Sequence, residues 1–277
     1  MSKTTKERAM RWHYEEIDYH QIDKQKVIDQ DFLFYLITSA SFIEITSDVY
    51  EKNLATFYQD NPKVVEWLQR VWEPEELQHG KALKKYVQTV WSDFDWEEAY
   101  ERFKKEYLPH CTLDEFQPTK AKEMLARMVV ETGTSTFYRA VERFSEDLKE
   151  PILAQISHNI SKDEVYHYDQ FYDTYEYYNA TEKLGKNEIV KVIYDRLKMV
   201  DGEDARIAYK AIYETLHDTP FEDRYYEEHK KGVSKFAKKY YPYNMAIKML
   251  LKPLNLNKTV EKASVPIIRG ALKVLGI

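Results

Sequence analysis

A glutamate followed 32 or 33 residues later by Glu-x-x-His occurs twice in this chain: Glu44 before Glu76/His79, and Glu131 before Glu164/His167. Each of these carboxylates interrupts an apolar stripe at helical spacing. Leu33, Ile37 and Ala40 run into Glu44, and Val65, Leu68 and Trp72 run into Glu76 and His79. Met124 and Met128 run into Glu131, and Leu153, Ile156 and Ile160 run into Glu164 and His167. Such stripes face a core, where a lone ionised carboxylate is costly unless a proton, a cation or a metal meets it. Within Glu-x-x-His the two side chains share a helix face, roughly 4.5 Å apart along the axis. Two such pairs and two further glutamates give four carboxylates and two imidazoles, the ligand set of dinuclear carboxylate bundles. Oxygen ligands with imidazole suit iron or manganese, and the lack of thiolates argues against structural zinc. A third Glu-x-x-His, Glu214/His217, sits beside Asp218-Thr219-Pro220 and reads as a polar helix end.

The composition leaves room for long helices. Only 7 Gly and 9 Pro occur in 277 residues, and 32% of residues are charged, too few turn residues for a strand-rich fold. Prolines at 62, 118, 151 and 220 mark first helical turns, and Asp201-Gly202 marks a break. The resulting map has long helices near 29–58, 62–90, 118–148 and 151–181 and a shorter one near 94–108. Further helices are expected near 187–199, 203–217 and 220–240. Pro242, Pro253 and Pro266 predict short or kinked helices beyond 241. The fold expected is all-α: a ferritin-like four-helix bundle over 1–185, with accessory helices and a basic tail over 186–277 packed on the same domain.

Cys111 is the only cysteine, which excludes an intrachain disulfide framework. No run of about 18 apolar residues reads as a membrane span, and the polar start MSKTTKERAMRWHYEE lacks a signal-peptide core. A cytoplasmic location is therefore expected. Charge is uneven: residues 230–277 hold 11 Lys or Arg and one acid, Glu261, a net of +10; the whole chain is −6, which leaves −16 on residues 1–229. Such a tail suits an acidic partner or an anionic membrane surface, or is only a solvated face.

WEPEELQHG at 72–80 and SKDEVYHYD at 161–169, with VVETGTSTF at 129–137 between them, resemble the metal motifs of the soluble acyl-carrier-protein desaturases. The resemblance spans roughly residues 10–182. It implies two iron ions per chain held by Glu44, Glu76, His79, Glu131, Glu164 and His167, with Glu76 and Glu164 bridging. It places the hydroxyl of Thr134 near the O₂ site and makes Trp72 and Asp163 supports of the ligands. Trp12 is a weaker match to a second supporting tryptophan, against the plainer reading of a packed core residue. Gly133 would allow close backbone approach or leave space for a substrate.

The activity implied is O₂-dependent desaturation of an acyl chain carried on acyl carrier protein, with a ferredoxin-like electron donor. A homodimer is expected, and no nucleic-acid partner. Rival readings are another di-iron oxygenase on the same scaffold (a hydroxylase, N-oxygenase or oxidative decarbonylase) and an iron-storage or peroxide-scavenging ferritin relative.

Overall fold

Helix is the only regular structure among the described residues of the computed structural model, which are 10–198, 203–217 and 219–275. The break expected at Asp201-Gly202 and the residue Asp218 lie outside them. After short 3₁₀ turns near the N-terminus come α1 (Asp31–Ile45), α2 (Ser47–Phe57), α3 (Pro62–Trp67), a π-turn (Leu68–Trp72) and α4 (Glu73–Val90). Then follow α5 (Trp96–Tyr107), α6 (Lys120–Leu148), α7 (Pro151–Glu182), α8 (Lys186–Lys198), α9 (Glu203–Leu216), α10 (Asp223–Tyr240), α11 (Tyr243–Leu251) and α12 (Lys258–Leu275).

The ferritin-like bundle is built from two helical hairpins. α1 and α2 lie along α4, α6 lies along α7, and α4 meets α7 across the middle. α6 and α7 have 29 and 32 residues, long enough to span roughly 44–48 Å. Their junction is capped from both sides. Lys149 ends α6 in the left-handed conformation (φ 57°), and the Glu150 carboxylate accepts from the backbone N–H groups of Ile152 and Leu153 at 3.2 and 2.6 Å. The accessory helices pack on this core: α8 on α6, α9 on α5 and α1, α10 across α6 and α1, and α11 along α6.

Two expected helices are interrupted. The helix expected over 29–58 breaks at Thr46, whose backbone N–H still donates to the Phe42 and Ile43 carbonyls and whose hydroxyl also donates to Phe42. The helix expected over 62–90 widens into the π-turn at 68–72. Pro74, two residues later, has no N–H for the ladder and crowds the carbonyl four residues before it; a wider turn relieves both. The prolines of the tail act unequally. Pro242 and Pro253 delimit short α11, but Pro266 lies inside the 18-residue α12, which is longer than expected. An 18-residue window within 31–57 is apolar enough to cross a membrane by length and composition. Over half of that window is buried within the fold, and it carries Glu44.

Gly80 shows why α1 and α4 can share a metal site. A Cβ there would lie 2.4 Å from Ile45 Cγ1 and 2.7 Å from the Ile45 backbone nitrogen. Gly80→Ala is therefore expected to destabilise the protein by about 1–3 kcal/mol, as overpacking does; urea unfolding with an unshifted midpoint would contradict this tight packing.

Candidate metal centre

Six side chains converge at mid-bundle, and their periodicity delivers them there. Glu44 comes from α1, Glu76 and His79 from α4, Glu131 from α6, and Glu164 and His167 from α7; all six are buried. Their ligand atoms fall into two groups, Glu44–Glu76–His79–Glu164 and Glu76–Glu131–Glu164–His167, each within 4.8 Å. The groups share Glu76 and Glu164, the two residues expected to bridge. His79 Nδ1 lies 3.2 Å from Glu164 and 3.8 Å from Glu44. His167 Nδ1 lies 3.0 Å from Glu76 and 3.7 Å from Glu131.

Each group is anchored from outside and left open inside. His79 Nε2 donates to Asp163 Oδ2 at 3.3 Å, and His167 Nε2 to Glu75 Oε2 at 2.8 Å, which fixes the tautomer that leaves Nδ1 as a lone pair. Trp72 Nε1 donates to Glu131 Oε1 at 3.3 Å, the Tyr138 hydroxyl donates to Glu44 Oε1, and Thr134 Oγ1 donates to Glu164 Oε2 at 2.9 Å. By contrast His79 Nδ1, His167 Nδ1, Glu131 Oε2 and Glu164 Oε1 are buried without a hydrogen-bond partner. Orphaned donors and acceptors of this kind are rare in a folded interior, and here they are the atoms that point at one another.

The electrostatics show the same need for cations. Burial, Glu164 and Glu44 push the Glu76 carboxyl well above its ordinary range, and burial and Glu164 do so for Glu131. Burial also opposes ionisation of Glu164, but the neighbouring His167 and His79 rings outweigh it and hold this carboxyl low. Burial disfavours the imidazolium forms, yet the surrounding carboxylates draw both histidines well above the usual imidazole range. The protein shares protons among groups that two divalent cations would neutralise directly. Four carboxylates match the charge of such a pair, and the oxygen and imidazole donors fit iron or manganese.

The structure places Trp72 and Asp163 in hydrogen bonds with ligand candidates, and Trp12 beside them. Trp12 Nε1 donates to Asp163 Oδ2 at 2.7 Å, and its ring lies parallel to His79 with centroids 6.1 Å apart. Arg11 adds an ion pair to Asp163 at 2.6 Å. Burial raises the Asp163 carboxyl, but His79, Trp12 and Arg11 more than reverse this. Thr134 also lies 3.4 and 3.3 Å from the Val130 and Glu131 carbonyls, so its shortest contact is to the carboxylate and not to the helix. A Cβ on Gly133 would meet nothing within 4 Å, so close approach of a neighbouring element does not require glycine here. His217 is exposed, lies against the Tyr213 ring at a tilt of 48° and joins neither ligand group.

Sequence reasoning missed Glu75, Tyr138 and Arg11. Glu75 was discoverable by symmetry: it precedes Glu76 as Asp163 precedes Glu164, and each supports the histidine of the opposite hairpin. Tyr138 had no comparable signal, because it is one of 23 tyrosines and only the crossing of α1 over α6 singles it out.

The fold and site define an all-helical bundle with a buried carboxylate–histidine centre. Residues 23–199 match the fatty acid desaturase family, and the chain belongs to that family. That membership makes it a desaturase-like oxidoreductase of fatty acid metabolism. Comparison with curated proteins and with solved structures gives no match.

Two measurements test the centre. Glu76→Ala and Glu164→Ala are each expected to abolish dinuclear metal binding, while His217→Ala leaves metal content at the wild-type level; metal analysis of the purified variants decides. Tyr138→Phe should weaken Mn²⁺ binding at the Glu44/His79 group by roughly tenfold or more, since a hydrogen bond to a charged group contributes about 1.5–3 kcal/mol. Calorimetric titration showing both sites unchanged would remove Tyr138 from the anchoring set.

Proposed function

We propose that the protein is an O₂-dependent di-iron oxidoreductase that introduces a double bond into an acyl chain carried on acyl carrier protein. The observation that supports this most is the pair of four-residue groups sharing Glu76 and Glu164, with unpartnered ligand atoms aimed inward. Family membership favours this over iron storage or peroxide scavenging. Two iron ions, when bound, supply reduction of O₂ coupled to hydrogen removal from adjacent methylenes. For each double bond, one O₂, two electrons and two protons join the two substrate hydrogens to leave two waters.

In this reading the chain's residues divide the work. Glu44, Glu76, His79, Glu131, Glu164 and His167 would hold the two irons, Glu76 and Glu164 being common to both ligand groups. Asp163 and Glu75 hold the histidine rings in register from opposite hairpins. Thr134 offers the one hydroxyl that touches a bridging carboxylate, and it is only partly buried, beside the space left by Gly133. That side of α6, with Val130 and Phe137 also partly exposed, is where the acyl chain reaches the centre. Electrons from a ferredoxin-like donor enter on the opposite flank, where Trp12 joins the N-terminal segment to Asp163 and His79.

Mass spectrometry of acyl carrier protein species, after incubation with iron-loaded enzyme, reduced ferredoxin and O₂, tests the reaction. Loss of two hydrogens from the acyl chain is expected. Gain of one oxygen would assign a hydroxylase, and unchanged carrier species would overturn the substrate. Thr134→Val should keep both metals but slow single-turnover reaction with O₂ by about tenfold or more, given the strength of a hydrogen bond to a charged group. Stopped-flow spectra identical to wild type would confine Thr134 to a packing role.

A further inference from the structure

The cations of the tail are not equivalent. Lys230, Lys231, Lys239 and Lys252 are neutralised by Glu227, Glu228, Asp147 and Asp169. Lys258, Lys262 and Arg269, all exposed on α12, have no ion pair or hydrogen bond among the described residues. At helical spacing these three form one stripe along α12. Val265 and Ile268 turn the helix's inner side toward α11, where Val265 joins Tyr243 and Ile247.

Beside this stripe α12 carries Pro266, Thr259, Gly270, Ala263, Ile267 and Val260. All six are exposed, and none is charged. Ile267 is 71% exposed, the most of any large apolar side chain among the described residues, and Val260 is 44% exposed. Single exposed apolar residues need no explanation. Here they share one arc of one helix, bordered by unpaired cations.

We propose that α12 is an interfacial helix that docks the protein on an anionic lipid surface. A bilayer meets both halves of the exposed face: headgroup phosphates take Lys258, Lys262 and Arg269, and the acyl boundary just beneath takes Val260, Pro266 and Ile267. An acidic protein would match the cations but set its carboxylates against the apolar arc. Charge supplies the orientation. Residues 1–229 carry −16 and the tail +10, so an anionic surface repels the bundle and attracts only this end. The proposal goes beyond the desaturase reading and does not depend on it, because α12 contributes no residue to the metal centre.

Co-sedimentation of the full chain with phosphatidylcholine vesicles, with and without phosphatidylglycerol, tests it. Wild-type protein is expected to bind only the anionic vesicles and to release at high salt. Reversal of Lys258, Lys262 and Arg269 to Glu should weaken partitioning by about 100-fold or more, from the attraction each basic residue feels near an anionic membrane. Ile267→Asp, at a position too exposed to matter for folding, should weaken it by about tenfold. Metal content and melting temperature should be unchanged in both variants. Wild-type protein that stays in solution over anionic vesicles overturns the proposal, as does a reversed variant that binds like wild type. Binding to an acidic carrier protein without vesicle binding would also overturn it and assign α12 to that partner.

Discussion

Four carboxylates and two imidazoles buried together at mid-bundle are the constraint to which the rest of the structure answers. Such a cluster is unfavourable in an apolar interior, because each carboxylate raises the cost of ionising the next. The fold handles this in two ways. It gives five of the six side chains one fixed outer partner: Tyr138, Trp72, Thr134, Asp163 or Glu75. It also leaves inward atoms without partners, an arrangement suited to cations in the space between them. The anchoring is crossed between hairpins, so neither half of the bundle can place its own histidine alone.

Several irregularities of the backbone make sense against that constraint. The π-turn before α4 carries Trp72, which reaches Glu131 on α6. The absent side chain at Gly80 lets α1 and α4 approach closely beside Glu44 and Glu76. Each costs the helix ladder or its packing something, and each lies within one or two turns of a ligand. The accessory helices face a different problem. α8, α9 and α11 cover the outside of the bundle, whereas α12 keeps an apolar, positively bordered face open.

The helices and the six ligand candidates were legible in the sequence because periodicity, proline placement and the duplicated spacing are local signals. Long helices α6 and α7 end within two residues of their expected bounds. The breaks at Thr46 and within 68–72 were missed, although Pro74 stood in the sequence as a marker. A proline's missing donor shifts a ladder without erasing the hydrophobic stripe on which the reading rested. Pro266 erred the other way, since an exposed helix face tolerates a proline whose lost hydrogen bond water can replace.

The chain's order of residues by itself determined which side chains face the core, that carboxylates are among them, and that they come in two matching sets. Helical period alone decides those points. Only the tertiary structure decided that the two sets meet, that Glu76 and Glu164 are shared between them, and that Tyr138, Glu75, Arg11 and Trp12 complete the surroundings. These contacts join residues 59 to 152 positions apart, and no local pattern encodes a distance set by how two hairpins pack. The same holds for the tail: its charge is written in the composition, but which cations are already paired, and which stand beside bare isoleucine and valine, depends on what the fold places opposite them.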